Sequence, residues 1–192
     1  MTDTGDWRTR RWEATHQKIY DVALELFQEH GFEQVNVGQI AAGAGVSVPT
    51  FYSHFPSKEH LIMRLPTVHD FAALLAGQPA DLPLDERIRR AVPQWMATWS
   101  PEFRDDALER WRIIAATPGL RTRAAEFERA TGNVVAEAMP TEPGRSLPPG
   151  DAIVINAYMS AYTAGLLAWA DCNGETKLEE LMEEAFEALR GH

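Results

Sequence analysis

Between Gly31 and Lys58 the sequence starts and stops a helix again and again. Asn36 followed by Gln39 three residues later is an asparagine form of the capping box, opening a short helix through about Ala44 that Gly45 ends. Ser47 can cap the next helix, in which Pro49 is tolerated because the first turn needs no N–H from it. That helix ends near Phe55; Pro56 follows, and Ser57 is expected to cap a fourth helix starting at Lys58. Ahead of them Ile19, Val22, Ala23, Leu26 and Phe27 repeat at i, i+3, i+4, i+7 and i+8 until Gly31. Punctuation this dense leaves no room for a sheet. It predicts a small cluster of short helices behind one longer one.

The rest of the chain keeps the helical period. Leu84, Ile88, Ala91, Val92, Trp95 and Trp99 make one stripe, which Pro93 is expected to kink. Ala107, Leu108, Trp111, Ile114 and Ala115 make the next, and Thr117 with Pro118 restarts the chain as N-cap and N1 ahead of Leu120, Ala124, Phe127 and Val134. The prolines of TEPGRSLPPG, 141–150, mark a loop, and two final helices follow. No strand pattern is long enough to trust. The expected fold class is therefore all-α: a flexible arm at 1–14, a three-helix head at 15–60, and a larger helical domain at 61–192.

A chain of 192 residues can bury a core without cross-links, and its single cysteine, Cys172, excludes an internal disulfide. No early segment has the pattern of an export signal, and the apolar runs break before the roughly 20 residues a bilayer needs, so a cytoplasmic protein without membrane insertion is expected. The formal net charge is −10, of which residues 1–65 carry only −2, with six Lys or Arg against eight Asp or Glu. Bulk charge cannot bring such a chain to nucleic acid, so any DNA contact must come from a small local cluster.

Two short helices joined through Ala44-Gly45-Val46-Ser47, behind a supporting helix, read as a helix-turn-helix, whose second member enters the major groove. Ile40, Ala41, Val46 and Phe51 are expected to face inward, leaving Val48, Pro49, Thr50, Tyr52, Ser53 and His54 outside. That exposed set is nearly uncharged, yet hydroxyls and backbone N–H groups make many phosphate contacts and apolar atoms can meet a thymine methyl. Together with Ser47 and Lys58 these are the candidate DNA-binding residues. Arg8, Arg10 and Arg11 are equally readable as a minor-groove arm or as a solvated tail.

Residues 15–65 resemble the DNA-binding domain of TetR-family repressors, through "IYDVALELFQEHGF", "VGQIAAGAGVS" and "TFYSHFPSKEHLI" in order and spacing. The resemblance implies a two-fold dimer on a palindromic double-stranded DNA operator, with Thr50 and Tyr52 on backbone or bases, and His54 and Lys58 on phosphates. Pro49 stands where many relatives have glycine, and Val48 where many have a longer polar residue. Two weakly charged heads, with the acidic domains beyond a Debye length of about 8 Å, would neutralise about 4 to 8 phosphates and give a shallow salt slope.

The second half resembles TetR-like regulators with an acyl-CoA-like ligand-binding domain, through "ERWRIIAATPGLRTRAAEFERATGNVVAEAM" and "LEELMEEAFEALRG". That implies a long apolar effector with an anionic end, for which Arg112, Arg121 and Arg123 are candidates against a plainer pairing with Glu109, Glu126 and Glu128. Beside a kink at Pro93, Trp95, Met96 and Trp99, facing Trp111, Phe127, Tyr158 and Tyr162, are the candidate ligand-binding residues. Ala157, Ala161, Ala164, Gly165 and Ala168, with Leu178, Leu181, Met182, Ala185, Phe186 and Leu189, are expected to pair two copies through a four-helix bundle. Adjacent carboxylates such as Asp105 and Asp106 diverge around a helix, and no nucleophile, metal or phosphate-loop motif occurs, so catalysis and a bound cofactor are not expected. The remaining alternative is an adaptor that keeps the fold without binding DNA.

Overall fold

The computed structural model describes residues 4–63, 73–75, 77–138 and 147–190; of the loop expected at 141–150, residues 141–146 lie outside the described residues. The chain divides into two compact units, Met1–Arg64 and Leu65–His192, four residues beyond the boundary expected from sequence. Both units are helical, and no strand occurs among the described residues.

The first unit opens with α1, Thr4–His30. Residues 4–14, expected as an arm, are the first turns of this helix. They lack an apolar stripe because from Trp7 to Ala14 every side chain is exposed, and a helix end with little to bury needs no stripe. The apolar face begins further on, with Ile19, Tyr20, Ala23 and Phe27 all buried. A 3-10 turn, Phe32–Gln34, leads into α2, Val37–Ala44. The capping box is complete: Asn36 Oδ1 accepts from the Gln39 backbone N–H at 3.0 Å, and Gln39 Oε1 accepts from the Asn36 N–H at 2.8 Å. Gly45 closes α2 at φ 67°, a left-handed conformation that costs glycine little. Gly43 is needed for another reason. A Cβ there would stand 2.7 Å from Val22 Cγ1, so its absence lets α2 lie against α1.

The third helix, α3, spans Val48–His54, and Ser47 Oγ accepts from the Thr50 N–H at 3.2 Å as its N-cap. Phe51 is 0% exposed and anchors α3 among Ile40, Ala41, Phe55 and Leu61, which are also buried. The fourth helix, α4, is a single turn, Glu59–Ile62. It starts one residue later than expected and Ser57 does not cap it. The Ser57 hydroxyl turns instead to the Glu59 carboxylate and lies 2.9 Å from His60 Nδ1.

The second unit contains α5 (Leu84–Met96), α6 (Pro101–Ala116), α7 (Pro118–Ala138), α8 (Pro149–Asp171) and α9 (Leu178–Ala188). Pro93 lies inside α5, which runs on through it to Met96. Helix α8 is the hub, touching α5, α6, α7 and α9. It is 23 residues long with a mean hydropathy of 1.3, enough by length and composition to span a bilayer. Its largest apolar side chains have a different destination, since Ile155, Tyr158, Met159, Leu166 and Trp169 are buried in the core of the unit, while Ile153, Ala164 and Ala168 stay exposed. A helix apolar on most sides is what a hub surrounded by other helices requires.

Part of the face expected to pair two copies is consumed inside the chain. Leu178, Met182 and Phe186 are buried in the unit's own core, as is Ala161. A Cβ on Gly165 would lie 3.1 Å from Met182 Cε, so this glycine serves the packing of α9 on α8. Ala164 and Ala168 remain exposed, and Leu181, Ala185 and Leu189 are half-buried or exposed.

Candidate nucleic-acid interface and effector region

Helix α3 presents its residues as its sequence pattern requires. With Phe51 locked inward, Tyr52 points out at 53% exposure and Val48 at 40%. Ser47, Pro49 and Ser53 are exposed, and Thr50 is half-buried. The hydroxyls are organised: Ser47 Oγ and Thr50 Oγ1 lie 2.7 Å apart, and Ser53 Oγ donates to the Thr50 carbonyl at 2.6 Å. A short, capped helix showing one tyrosine, one valine, one proline and three small hydroxyl residues, two of them exposed, has the chemistry of a groove reader with few charges.

Two of the expected contacts are placed differently. Lys58 directs its ammonium into the head, donating to the carbonyls of Phe32 at 2.8 Å and Val35 at 2.9 Å while standing 4.3 Å from the centre of the Phe32 ring. Two of its three N–H groups thus close the 3-10 turn. The His54 ring stacks on Trp12 at 4.8 Å and tilts against His16 at 5.6 Å, and its Nδ1 is buried with no hydrogen-bond partner. Burial holds the His54 pKa below its ordinary value, so the ring is neutral near pH 7. The packing role of this histidine depends on Trp12, whose position on a helix the sequence pattern did not signal.

Across the recognition helix runs an open groove of about 510 Å³, lined by Trp7, Arg8, Arg11, Trp12 and Thr15 from α1 and by Gly45, Val46, Ser47, Thr50 and His54. All its walls belong to the first unit.

The effector candidates separate into two sets. Met96 and Tyr158 are core: both are buried, and Tyr158 meets Phe186 edge to face at 5.0 Å. Trp95, Trp99, Trp111 and Tyr162 are partly buried against that core, with Trp95 and Trp99 edge to face at 5.1 Å and Trp95 and Tyr162 at 6.3 Å. Phe127 is half-buried on α7. The indole N–H of Trp99 is buried without a hydrogen-bond partner. Burial pushes the Tyr162 hydroxyl well above its ordinary pKa, against the pull of the Arg110 guanidinium. Arg110, 5% exposed, was not signalled by the sequence pattern, where it sits beside Glu109 as an ordinary helix charge; its Nε donates to Asp106 Oδ2 at 3.0 Å. Arg112 and Arg121 reach the far end of the hub helix. Arg112 donates to the Asn173 carbonyl at 2.9 Å, and Arg121 pairs with Asp171 and donates to the Ala115 carbonyl at 2.6 Å. Both tie the end of α8 to neighbouring helices.

A capped two-helix reader on a supporting helix, followed by an all-α unit built round a hub, defines the class of helix-turn-helix regulators. The comparisons with known proteins agree. Residues 19–65 match the family of bacterial regulatory proteins of the tetR type, and residues 82–192 match the MftR C-terminal domain. The chain belongs to the TetR family of transcriptional regulators and is not an enzyme. It is 27% identical over 182 residues to the HTH-type transcriptional repressor AcnR of Corynebacterium diphtheriae, covering 91% of this chain and 90% of that one. It is 33% identical over 140 residues to the HTH-type transcriptional regulator TcmR of Streptomyces glaucescens, covering 67% of this chain and 62% of that protein. Among solved structures, NalD of Pseudomonas aeruginosa, described as the secondary repressor of the MexAB-OprM multidrug efflux pump, superposes with a TM-score of 0.53 at 23% identity over 91% of this chain and 96% of that one. That last likeness concerns the fold.

Proposed function

We propose that this regulator is a homodimeric, cytoplasmic repressor that binds a palindromic operator through α3 and leaves it when a hydrophobic or acyl-CoA-like effector enters the second unit. The observation that carries the DNA part is the presentation of Tyr52 and Val48 on a helix pinned by Phe51 and capped by Ser47. An adaptor that had lost DNA binding would have no need for so organised an uncharged surface. For the effector, the half-buried Trp95, Trp99, Trp111 and Tyr162 supply apolar walls, the Trp99 N–H a donor without a partner, and Arg110 a buried cation. The exposed Ala164 and Ala168 on α8, with Leu181, Ala185 and Leu189, supply a face on which a second copy would pack. Effector and DNA are then linked through binding energy, and a hundredfold loss of affinity requires about 2.7 kcal/mol of coupling.

A gel shift with the DNA flanking the protein's own gene tests the reading. The wild-type chain is expected to bind, with Tyr52→Ala weaker by about tenfold, the scale of one lost groove contact. No binding by the wild type to that DNA or to any duplex selected from a random library would leave the adaptor reading standing. Mass spectrometry of small molecules that copurify with the chain tests the effector class. Sedimentation is expected to give twice the 21.5 kDa chain mass.

A further inference from the structure

The groove beside α3 has a second wall that the recognition residues do not explain. Arg8 and Arg11 are three apart on α1 and so share a face, and both are exposed. Among the described residues neither guanidinium makes an ion pair; that of Arg8 stands over the Trp7 ring at 5.9 Å. Trp7 and Trp12 remain 47% and 49% exposed. Two half-exposed tryptophans next to two arginines without an ion pair among the described residues are an unusual surface to leave to water. Trp12 is held in place by stacking on His16 and His54, each at 4.8 Å, so the first turns of α1 are fastened to the last turn of α3.

We infer that the first turns of α1 are a second DNA-contacting element, in which Arg8 and Arg11 grip the sugar–phosphate strand alongside the groove that α3 enters. The inference rests on the DNA-binding reading of α3. Continuity favours it, because Ser47, Thr50 and His54 line the same groove as Arg8 and Arg11. Chemistry favours it, because planar guanidinium groups match phosphate oxygens and aromatic faces suit deoxyribose. Charge favours it as well. Residues 1–65 have a formal net charge of −2, and Lys58 is committed to carbonyls, so a head that binds a polyanion needs free cations, which this edge provides. Trp12 acts here as a positioning residue, since its stack on His54 sets the angle between the two helices.

The test uses duplexes selected from a random-sequence library with the full wild-type chain, and affinity measured by anisotropy from about 50 to 200 mM salt. The variants are Arg8→Gln/Arg11→Gln, the charge-keeping Arg8→Lys/Arg11→Lys, and Trp12→Phe beside Trp12→Ala. The glutamine pair is expected to weaken binding about tenfold at the lowest salt and to flatten the log–log salt slope by about 1.8 per head, or roughly 0.9 per lost phosphate contact. The lysine pair is expected to keep the slope. Trp12→Ala should follow the glutamine pair, and Trp12→Phe the wild type. An unchanged slope in the glutamine pair, with the wild type binding well, overturns the inference and leaves the α3 reading intact. Failure of the wild type to select any duplex brings down both.

Discussion

Lys58 shows how a residue can belong to a DNA-binding motif and still have most of its work inside the protein. Its ammonium satisfies two backbone carbonyls at the 3-10 turn between α1 and α2 and stands over the Phe32 ring. Lys58→Ala strands two partly buried acceptors, each worth about 1–3 kcal/mol if left unpaired, so the head should lose measurable thermal stability. Tyr52→Ala, at a half-exposed site, should leave stability within about 0.5 kcal/mol. Thermal denaturation of both variants checks the contrast. His54 gives a pH signature. Its folded pKa lies below the unfolded value, so the unfolded chain binds the extra proton as pH falls through the unfolded value of about 6.5. The head should be fully stable above that pH and weaken below it, and His54→Phe should flatten the dependence in melts taken between pH 7 and 5.

At the scale of elements, local chemistry in the sequence was decisive wherever a cap or a turn set the boundary. Asn36, Gln39, Gly45 and Ser47 each do in the structure what their side chains or lack of one suggested. The start of α1 was hidden because its first turns have no apolar period; what holds them is a stack between Trp12 and a histidine over 40 positions away. The partner of Lys58 was hidden for the same reason, being backbone atoms more than 20 positions distant. In the second unit the small-residue positions on α8 were legible as packing sites, but periodicity cannot say against which neighbour, and Gly165 turned out to face Met182 of its own chain. Ser47→Ala should cost about 1 kcal/mol by removing the cap of α3. Phe51→Ala should cost about 3–5 kcal/mol and unfold the first unit while the second keeps its helices, measurable by limited proteolysis.

For the whole molecule, the formal charge of −10 and its uneven division remain the controlling quantity. A DNA-binding chain of this charge depends on where a few cations and hydroxyls stand, so its affinity should fall less steeply with salt than that of a basic repressor. The family and the all-α class were legible from about 50 contiguous residues of the head, because capping and turn chemistry are local and specific. The effector region was legible only as a composition of aromatics. Which of them line space and which fill it, as Met96 and Tyr158 do, depends on contacts between distant helices.

The helical start of α1 has a practical consequence for anyone handling the protein. The first turns of α1 stand beside the groove, so bulk attached at that end would compete with a duplex for the same space. Preparations carrying an affinity handle there should report weaker operator binding than the same chain tagged after α9.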